Sequence, residues 1–530
     1  MDREFLLDGI LHGFKIVNSS CPLKPASMNN YKSALSNHHL VEKQIRIELA
    51  EKRYVVVEKP PLLISAIGAI EKSDGGVRII HDCSQPKGLG LNDYVAEKLS
   101  VKYQSVQEAA QLLAPQDYMV KIDLKAAYRS VALHPSQWQY TGLKWTFKGE
   151  SEPTYMIDTS LPFGAALSPG IFNRLTQAVR RMLEKRGIKS VVYLDDFWIC
   201  ASNLDTCKEA QQITLSLLRK LGFSIAWHKV EGPVQQLTFL GIEMDSCEMT
   251  LSLPQNKVAA YKLLLADFEH RSRASGRQLQ QLAGKLAWAS TVVAGGRIYL
   301  QRVLNTLRPL KHAHHKVLLD NEFREDIKWW LLFMEQFNCK RIILKTRPEV
   351  CVFTDASQSG AGMVCESDWG YIDWQLDLPH MVTKHINVKE GAAVAGAVYR
   401  WAPSWTGCDV TIYTDNITTR AAFNKGNSHD ATVMAHVRDV FWLSQVYDFK
   451  IKCVHIPGVT NFEADTVSRL RQRSHLQYWC SVLAKGAPYT ETELSRWLLA
   501  HCSVATASSI FAQRHRALPW LQTWTEQLLI

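Results

Sequence analysis

Two adjacent aspartates stand between two strongly apolar runs in the string VVYLDDFWIC at positions 191–200. The β-branched and aromatic residues on both sides predict two strands joined by a tight turn, so Asp195 and Asp196 are expected at the tip of a hairpin. Neighbouring carboxylates repel each other, and a divalent cation at the tip relieves that repulsion. The string therefore predicts a hairpin whose tip binds a divalent cation.

A third acid, Asp123, lies upstream in VKIDLKAAY, another run that is typical of a strand. Together the three carboxylates suggest a two-magnesium site for phosphoryl transfer, in which cations about 3.5–4 Å apart clamp the attacking and leaving oxygens. Mg²⁺ is a hard cation that prefers oxygen ligands. We expect Asp123 and Asp195 to bind both ions and Asp196 to be the weaker ligand. The alternative for these acids is helix capping or a solvated turn.

Length and composition indicate a multidomain globular chain. Its 530 residues exceed one hydrophobic core and should form about three to five domains. No stretch approaches the roughly 20 apolar residues of a membrane span, so membrane insertion is not expected. The opening MDREFLLDGI carries acids where a secretory signal carries positive charge. We therefore expect an intracellular protein, with cytoplasm and nucleus left open.

Charge and aromatic content favour a polyanionic partner. The formal charge of +10 favours phosphate binding, because lysine and arginine release counterions from it. The sixteen tryptophans offer faces that stack on bases, although most should be core residues. The twelve cysteines include no CxxC pair, so we expect buried free thiols rather than a zinc site or disulfides.

The pattern of predicted elements divides the chain into five segments. Residues 1–57 form a helical, polar extension that ends before Pro60 and Pro61. Residues 58–250 alternate strands and helices after a hairpin whose turn is Asp74-Gly75-Gly76, which indicates an α/β layer with helices on one face. The remaining segments are a helix-rich region at 251–346, a second α/β domain at 347–475, and a C-terminal extension at 476–530.

Residues 60–290 resemble a reverse transcriptase. The matching strings, in order, are KSDGGVR, KIDLKAAY, LPFGAALSP, YLDD, AWHKVEGP, FLGIEMD and RQLQQLAGKLAWA. The resemblance implies an α/β multidomain fold, namely a right-hand polymerase with fingers, palm and thumb followed by a connection. The strings LPFG, ELAEKRYVVVEKPP and HDCSQPKGLGLNDY are most similar to retrotransposons that encode a tyrosine recombinase, the DIRS and Ngaro types.

The resemblance also implies how the chain selects its nucleotide. Tyr128 matches the aromatic steric gate of the family, whose ring would clash with a ribose 2′-hydroxyl, so deoxynucleotides are the expected substrates. An ordinary core tyrosine is the alternative. Gly164 lets backbone approach the nucleotide or template closely. Phe163 replaces the glutamine of retroviral enzymes, so packing or stacking is expected in place of a polar contact to the sugar.

Basic residues complete the expected polymerase site. Lys72 and Arg78 lie on opposite strands of the predicted hairpin, where they could reach the triphosphate; a solvated charged hairpin is the alternative. Lys229 matches the lysine that protonates the leaving pyrophosphate, a position that a surface lysine can imitate. The expected nucleotide-binding set is Lys72, Arg78, Leu124, Tyr128, Phe163, Gly164 and Lys229, and the expected primer/template set is Phe239, Leu240 and Gly241.

Residues 349–470 resemble a type I ribonuclease H domain. Four acids lie on the expected elements, and they are Asp355, Glu390, Asp415 and Asp465. Four acids in one cleft repel each other unless metal ions neutralise them, so two-metal hydrolysis of RNA is the natural interpretation. The RNA of a hybrid is distinguished by its 2′-hydroxyls and groove shape, which lets such a nuclease remove a copied template.

Together the two resemblances imply an RNA-directed DNA polymerase with ribonuclease H activity that serves retrotransposon replication. The expected cofactor is Mg²⁺, two ions per active site, with Mn²⁺ as an alternative. The expected partners are an RNA template, a DNA primer, the RNA–DNA hybrid and deoxynucleoside triphosphates, and a homo-oligomer is compatible with the sequence. Two alternatives are a host enzyme with a dedicated template and a domesticated, catalytically inactive nucleic-acid-binding protein. Acids at all seven positions argue against the last.

Overall fold

A computed structural model of the chain describes residues 2–18, 22–72, 75–97, 101–293, 295–336, 340–343 and 347–484. The chain divides between Pro254 and Gln255 into two units. Most of the expected C-terminal extension, from residue 485 onward, lies outside the described residues. No helix in the described ranges is both long and apolar enough to cross a membrane.

The first unit mixes short strands with helices. Its strands are β1 (Ala26–Ser27), β2 (Tyr54–Val56), β3 (Leu63–Ile64), β4 (Ala66–Glu71), β5 (Val77–Asp82), β6 (Tyr118–Asp123), β7 (Gly142–Trp145), β8 (Thr154–Asp158), β9 (Lys189–Tyr193), β10 (Asp196–Ala201), β11 (Glu231–Val234), β12 (Gln236–Phe239), β13 (Ile242–Asp245) and β14 (Thr250–Ser252). Its helices are α1 (Asp2–His12), α2 (Lys32–Ser36), α3 (His38–Ala50), α4 (Val106–Leu112), α5 (Ser168–Glu184) and α6 (Leu204–Lys220).

An antiparallel sheet in the order β11–β6–β10–β9 forms the base of the first unit. Phe197 and Ile199 of β10 point into a core shared with α5 and α6, whose apolar residues recur with helical spacing. Trp198 points to the opposite face, where its ring lies 6.3 Å from that of Phe239 in β12. Both faces of β10 are therefore covered, which explains its continuous apolar sequence.

A second sheet, in the order β1–β3–β7–β8–β2, lies in the same unit. Together with the β4–β5 hairpin and α3 it encloses a separate apolar core that includes Ile45, Ile79 and Trp145. Residues 1–57 thus contribute both strands and helix to this layer. The predicted hairpin is confirmed, since β4 pairs antiparallel with β5 from Ala66 to Asp82. Asp74, in its predicted turn, lies outside the described residues.

The second unit begins with helices and continues into a larger sheet. Its strands are β15 (Arg273–Ser275), β16 (Lys316–Leu318), β17 (Lys340–Ile342), β18 (Glu349–Ala356), β19 (Gly360–Cys365), β20 (Asp368–Asp373), β21 (Asp409–Thr414) and β22 (Lys450–His455). Its helices are α7 (Gln255–His270), α8 (Gly276–Ala289), α9 (Gly296–Tyr299), α10 (Gln301–Leu307), α11 (Asn321–Gln336), α12 (Ile386–Trp401), α13 (Ile417–Lys425), α14 (Ala431–Val446), α15 (Phe462–Ser468) and α16 (Arg473–Ala484).

The larger sheet of the second unit has the order β20–β19–β18–β21–β22. Strands β18, β21 and β22 are parallel to one another, and β19 and β20 are antiparallel to their neighbours. Helix α12 packs on one face through Val394 and Val398, and α15 and α16 cover the other, where Trp369 meets Trp479. Because parallel strands end at the same edge, residues that follow β18 and β21 lie close together.

The helices predicted within residues 255–345 are confirmed by α7 and α8. The two-stranded pairing of β15 with β16 in that region was not predicted, and neither was α13. The helix expected at Asp465 is confirmed by α15. Elements of three to nine residues hold too few positions to establish a hydrophobic period, so their sequence resembles that of a loop.

Candidate active sites

Two of the predicted polymerase acids face each other across neighbouring strands. Asp123 is the last residue of β6 and is the direct antiparallel partner of Asp196, the first residue of β10. Asp195 lies in the two-residue turn between β9 and β10, and its carbonyl oxygen accepts a hydrogen bond from the Leu124 amide at 3.1 Å. The sheet register therefore brings all three acids to one end of the sheet.

The turn that carries Asp195 has an unfavourable backbone. Leu194 adopts a φ of 53°, in the left-handed region that a leucine rarely occupies. Such strain persists only where the surrounding structure imposes it, and it is concentrated at functional sites. Pairing of β10 with strands on both sides supplies that constraint here.

Burial and neighbouring negative charge raise the pKa values of Asp195 and Asp196. Burial, aided by the charge of Asp123, raises the pKa of Asp195 above its ordinary value. Burial and the charges of Asp195 and Asp123 raise the pKa of Asp196 to about 6. Lys229 Nζ lies 3.0 Å from Asp123 Oδ2 and is the nearest compensating charge to that acid. A site with this excess of carboxylate oxygens fits a hard divalent cation.

Aromatic rings and one cation form a layered stack in the same unit. The ring of Tyr128 stacks on that of Phe163, with centroids 5.1 Å apart and planes inclined by 27°. The guanidinium carbon of Arg78 lies 5.1 Å from the centroid of Phe163. Burial raises the pKa of the Tyr128 hydroxyl well above its ordinary value, with a smaller contribution from Asp195 among its neighbours, so the hydroxyl stays protonated. Phe163 thus lies in contact with both the predicted gate and the predicted phosphate-binding arginine.

Gly164 lies directly against the backbone of β5. Its φ is +130°, and a Cβ built on it would lie 1.9 Å from the carbonyl oxygen of His81. The preceding residue, Phe163, accepts a backbone hydrogen bond from the His81 amide at 2.9 Å. The LPFG turn therefore contacts His81 of β5 twice. Phe163 accepts a hydrogen bond from its amide, and Gly164 packs against its carbonyl oxygen.

The variant Gly164→Ala should lower the free energy of unfolding by about 3 kcal/mol, because it combines a forbidden φ with a backbone clash. Gly149→Ala is a matched control, since Gly149 has a φ of +92° but nothing within 4 Å of the added Cβ. We expect the control to lose only about 1 kcal/mol. Urea unfolding curves measure both, and equal losses in the two variants would contradict the close approach at His81.

Four other residues predicted to act in the polymerase lie on two hairpins. Lys72 lies exposed at the end of the β4–β5 hairpin, where its amide binds the Gly76 carbonyl. Leu240 and Gly241 form the two-residue turn between β12 and β13, both with positive φ. Phe239 is fully buried behind β10. Its side chain lies against Trp198 and supports the sheet. A primer/template contact by Leu240 and Gly241 stays a prediction.

A second acidic cluster lies at the edge of the larger sheet in the second unit. Asp355 is near the end of β18, Asp415 follows β21, and Glu390 projects from α12. One carboxylate oxygen of each lies within 4.8 Å of those of the other two. Within the described part of the chain, no other set of three histidine, cysteine, aspartate or glutamate side chains brings its ligand atoms so close together.

Electrostatics in the second cluster are strongly unfavourable to three free carboxylates. Burial, followed by the charges of Asp355 and Asp415, raises the pKa of Glu390 to about 9. Burial raises the pKa of Asp355 to about 6, although Ser468 Oγ donates a hydrogen bond to its Oδ2 at 2.7 Å. Glu390 Oε1 accepts from the Ala356 amide at 3.3 Å, while its buried Oε2 has no hydrogen-bond partner among the described residues. An unpartnered buried carboxylate oxygen in an acidic group fits a metal ligand.

The fourth predicted nuclease acid lies beside this cluster but outside it. Asp465 raises the pKa of Asp355 through its charge, yet its own Oδ1 accepts a hydrogen bond from Arg469 Nε at 2.7 Å. The metal-binding role of Asp465 stays a prediction. Ser468 and Arg469 were missed by sequence reasoning. Their signal is helical spacing, since both lie within one turn of Asp465 on or just after α15.

Comparison with known proteins finds a family match over the residues that contain the first acidic cluster. Residues 70–244 match the family model of the reverse transcriptase (RNA-dependent DNA polymerase). The chain is 24% identical over 383 residues to the enzymatic polyprotein of figwort mosaic virus, a match that covers 69% of this chain and 52% of that protein. It is 28% identical over 135 residues to the Gag-Pol polyprotein of avian reticuloendotheliosis virus, covering 25% of this chain and 12% of that one. The chain thus spans about half, or less, of the length of these relatives.

Solved structures resemble the fold over most of the chain. A foamy viral protease-reverse transcriptase in complex with double-stranded DNA has a TM-score of 0.52 at 15% identity, covering 83% of this chain and 73% of that one. The foamy viral enzyme in complex with an RNA/DNA hybrid has a TM-score of 0.51 at 14% identity, covering 83% of this chain and 57% of that one. At this identity the likeness shows a similar mixed α/β fold. Residues 70–244, with Asp123, Asp195 and Asp196 among them, form a reverse transcriptase domain of the retroviral and retroelement type.

Proposed function

We propose that the chain is an RNA-directed DNA polymerase with ribonuclease H activity that acts in the replication of a retrotransposon. The observation that carries the polymerase half is the convergence of Asp123, Asp195 and Asp196 at one end of a sheet inside the matched domain. The finer resemblance to the DIRS and Ngaro elements rests on strings such as LPFG and HDCSQPKGLGLNDY.

In this proposal Asp123 and Asp195 hold two Mg²⁺ ions, with Asp196 as the weaker ligand. Bound Mg²⁺ supplies Lewis-acid stabilisation of the charge that develops on the transferred phosphoryl group. Arg78, held over Phe163, contributes positive charge toward the triphosphate. Lys229 lies beside Asp123, and in this proposal it donates a proton to the departing pyrophosphate.

In the proposed nucleotide site, the Tyr128 ring lies against the sugar of the incoming nucleotide. Phe163 and Phe172 both pack against this ring, with centroids 5.1 Å and 5.2 Å away. Close packing against two aromatic neighbours restricts movement of the Tyr128 ring away from a ribose 2′-hydroxyl. The proposed substrates are therefore deoxynucleoside triphosphates.

Tyr128→Ala is expected to raise the efficiency of ribonucleotide incorporation relative to deoxynucleotides by about 100-fold, because it removes the ring that the 2′-hydroxyl would strike. Competition between the two nucleotides in single-turnover primer extension measures this ratio. Tyr140→Ala is the matched control, since Tyr140 is another half-buried tyrosine that packs against the same core. An unchanged ratio in Tyr128→Ala would refute the gate.

The proposed nuclease site consists of Asp355, Glu390 and Asp415, with Asp465 beside them. The first three hold Mg²⁺ through their clustered oxygens. Asp465, neutralised by Arg469, is the ligand that substrate binding must release from its ion pair. We assign to this domain, residues 347–475, hydrolysis of the RNA strand of an RNA–DNA hybrid.

The proposed polymerase subdomains follow one another along the chain. Residues 58–250 correspond to fingers and palm, and 251–346 to thumb and connection. The foamy viral structures contain double-stranded DNA or an RNA/DNA hybrid, and we propose the same classes of duplex as partners here. The proposed set also includes an RNA template and a DNA primer.

The experiment that tests the polymerase half is extension of a labelled DNA primer on an RNA template by the full chain with Mg²⁺ and deoxynucleotides. The expected result is that the primer is extended on the RNA template with deoxynucleotides and is not extended when ribonucleotides replace them. Hybrid binding without extension would refute the proposal and favour the domesticated nucleic-acid-binding protein.

A further inference from the structure

A buried ion cluster is joined by hydrogen bonds to the chain segment that carries Phe163 and includes the residue after Tyr128. We define the gate cluster as Glu48, His81, Arg129 and Asp158, which are 6%, 3%, 8% and 0% exposed. Its members come from α3, β5, the short helix after β6, and β8. Buried charges are costly unless they are paired, so a change to one member of such a cluster leaves its partners uncompensated.

Arg129 binds two other members of the gate cluster and directly follows Tyr128 in the sequence. Its Nη1 donates to Asp158 Oδ2 at 2.7 Å, and its Nε donates to Glu48 Oε2 at 3.1 Å. Nη1 also lies 3.3 Å from the carbonyl oxygen of Leu161, the first residue of the LPFG turn. One planar guanidinium therefore connects the backbone that carries Tyr128 to the turn that carries Phe163.

His81 forms a second connection from the cluster to Phe163. Its Nε2 lies 3.0 Å from the Tyr54 hydroxyl and 3.7 Å from Asp158 Oδ2. Burial lowers the pKa of His81, which favours the neutral ring. The His81 amide binds the Phe163 carbonyl at 2.9 Å. Asp158 is thus shared by both connections, one through Arg129 and the other through His81.

We propose that Arg129 is a positioning residue for sugar selection, and that the gate cluster fixes the distance between the Tyr128 and Phe163 rings. This inference rests on the proposed polymerase function and extends it to residues that would not touch the nucleotide. The physical reason is that discrimination against one hydroxyl depends on ring placement to a fraction of an ångström, which a five-donor planar group controls better than a flexible ammonium.

The test is Arg129→Lys in the full chain, which keeps the charge and removes the fork. We expect the ratio of deoxynucleotide to ribonucleotide incorporation efficiency to fall about tenfold, with KM for deoxynucleotides rising more than kcat falls. Glu48→Gln should move the ratio in the same direction. Glu42→Gln is the matched control, because Glu42 lies on the same helix as Glu48 and forms its ion pair with Arg46. The control should leave the ratio unchanged.

A double variant distinguishes positioning from general destabilisation. Adding Arg129→Lys to Tyr128→Ala should produce no further change in the ratio, since Arg129 acts through the ring that is already gone. Additive changes, or an unchanged ratio in both Arg129→Lys and Glu48→Gln, would overturn the proposal. Absence of any primer extension by the wild-type chain would instead overturn the proposed function, so the two failures are distinguishable. If Arg129→Lys does not fold, Glu48→Gln and its double variant with Tyr128→Ala decide the outcome.

Discussion

Asp195→Asn is expected to reduce primer extension by about 1,000-fold or more, since it removes a charged ligand where negative charge develops on the phosphoryl group. Asparagine has nearly the same shape as aspartate, so β9 and β10 should still pair. Burial and Asp123 raise the pKa of Asp195, which means that its charge destabilises the folded state. The variant should therefore melt at the same temperature as the wild-type chain, or higher. Gel-resolved extension and a thermal unfolding curve measure the two effects.

The control for this prediction is Asp205→Asn, an exposed acid in the first turn of α6. It should extend primers at the wild-type rate. Cleavage of a preformed hybrid should persist in Asp195→Asn, because the proposed nuclease acids are in the other unit. Residual extension within tenfold of wild type would mean that Asp195 is not a metal ligand.

Asp415→Asn is expected to have the opposite effect, with loss of RNA cleavage by about 1,000-fold and full retention of primer extension. Asp415 belongs to the group of three carboxylates that meet within 4.8 Å, so neutralising it removes both a ligand and a source of repulsion. Its charge helps to raise the pKa values of Asp355 and Glu390. The folded state should accordingly be no less stable in the variant.

Glu463→Gln is the matched control for Asp415→Asn, since Glu463 is an exposed acid on α15 of the same sheet domain. Cleavage of a labelled RNA strand in a hybrid measures both variants. Equal loss in the two would point to a general effect of charge on hybrid binding. Loss of extension together with cleavage in a folded Asp415→Asn chain would contradict the assignment of two separate sites.

Much of the first acidic site was predictable because its signals are local in sequence. The apolar runs on each side of Tyr193–Asp196 determine a hairpin, and the hairpin determines where Asp195 lies. The strand that ends at Asp123 was also clear from its composition. What sequence did not give was the register that makes Asp123 the partner of Asp196, because pairing between distant strands depends on the packing of the whole sheet.

The gate cluster could not be predicted from sequence. Glu48 and Arg129 are 81 positions apart, and each resembles an ordinary surface charge when it is considered alone. Their burial depends on α3 packing over the second sheet, a long-range event with no local signature. A close approach at Gly164 was predicted with the nucleotide or template as the neighbour, but the group that lies against it is the carbonyl of His81 on another strand.

In the second unit the order of acids was predictable, and their relation to one another was only partly so. Asp355, Glu390 and Asp415 come together because β18 and β21 are parallel neighbours under α12. The ion pair of Asp465 with Arg469 was not anticipated. A helical spacing of four residues allows that pair, but the choice between arginine and metal depends on where α15 directs the carboxylate.

The most direct test of the whole account follows both strands of one duplex in one reaction. A DNA primer and an RNA template carry different fluorophores, and the full chain is supplied with Mg²⁺ and deoxynucleotides. We predict that the primer lengthens while the template shortens. With a preformed hybrid as substrate, Asp195→Asn should abolish only the lengthening of the primer. Asp415→Asn should abolish only the shortening of the template. A wild-type chain that lengthens the primer and never shortens the template would contradict the nuclease site. A folded single-acid variant that loses both activities would contradict the claim of two independent active sites.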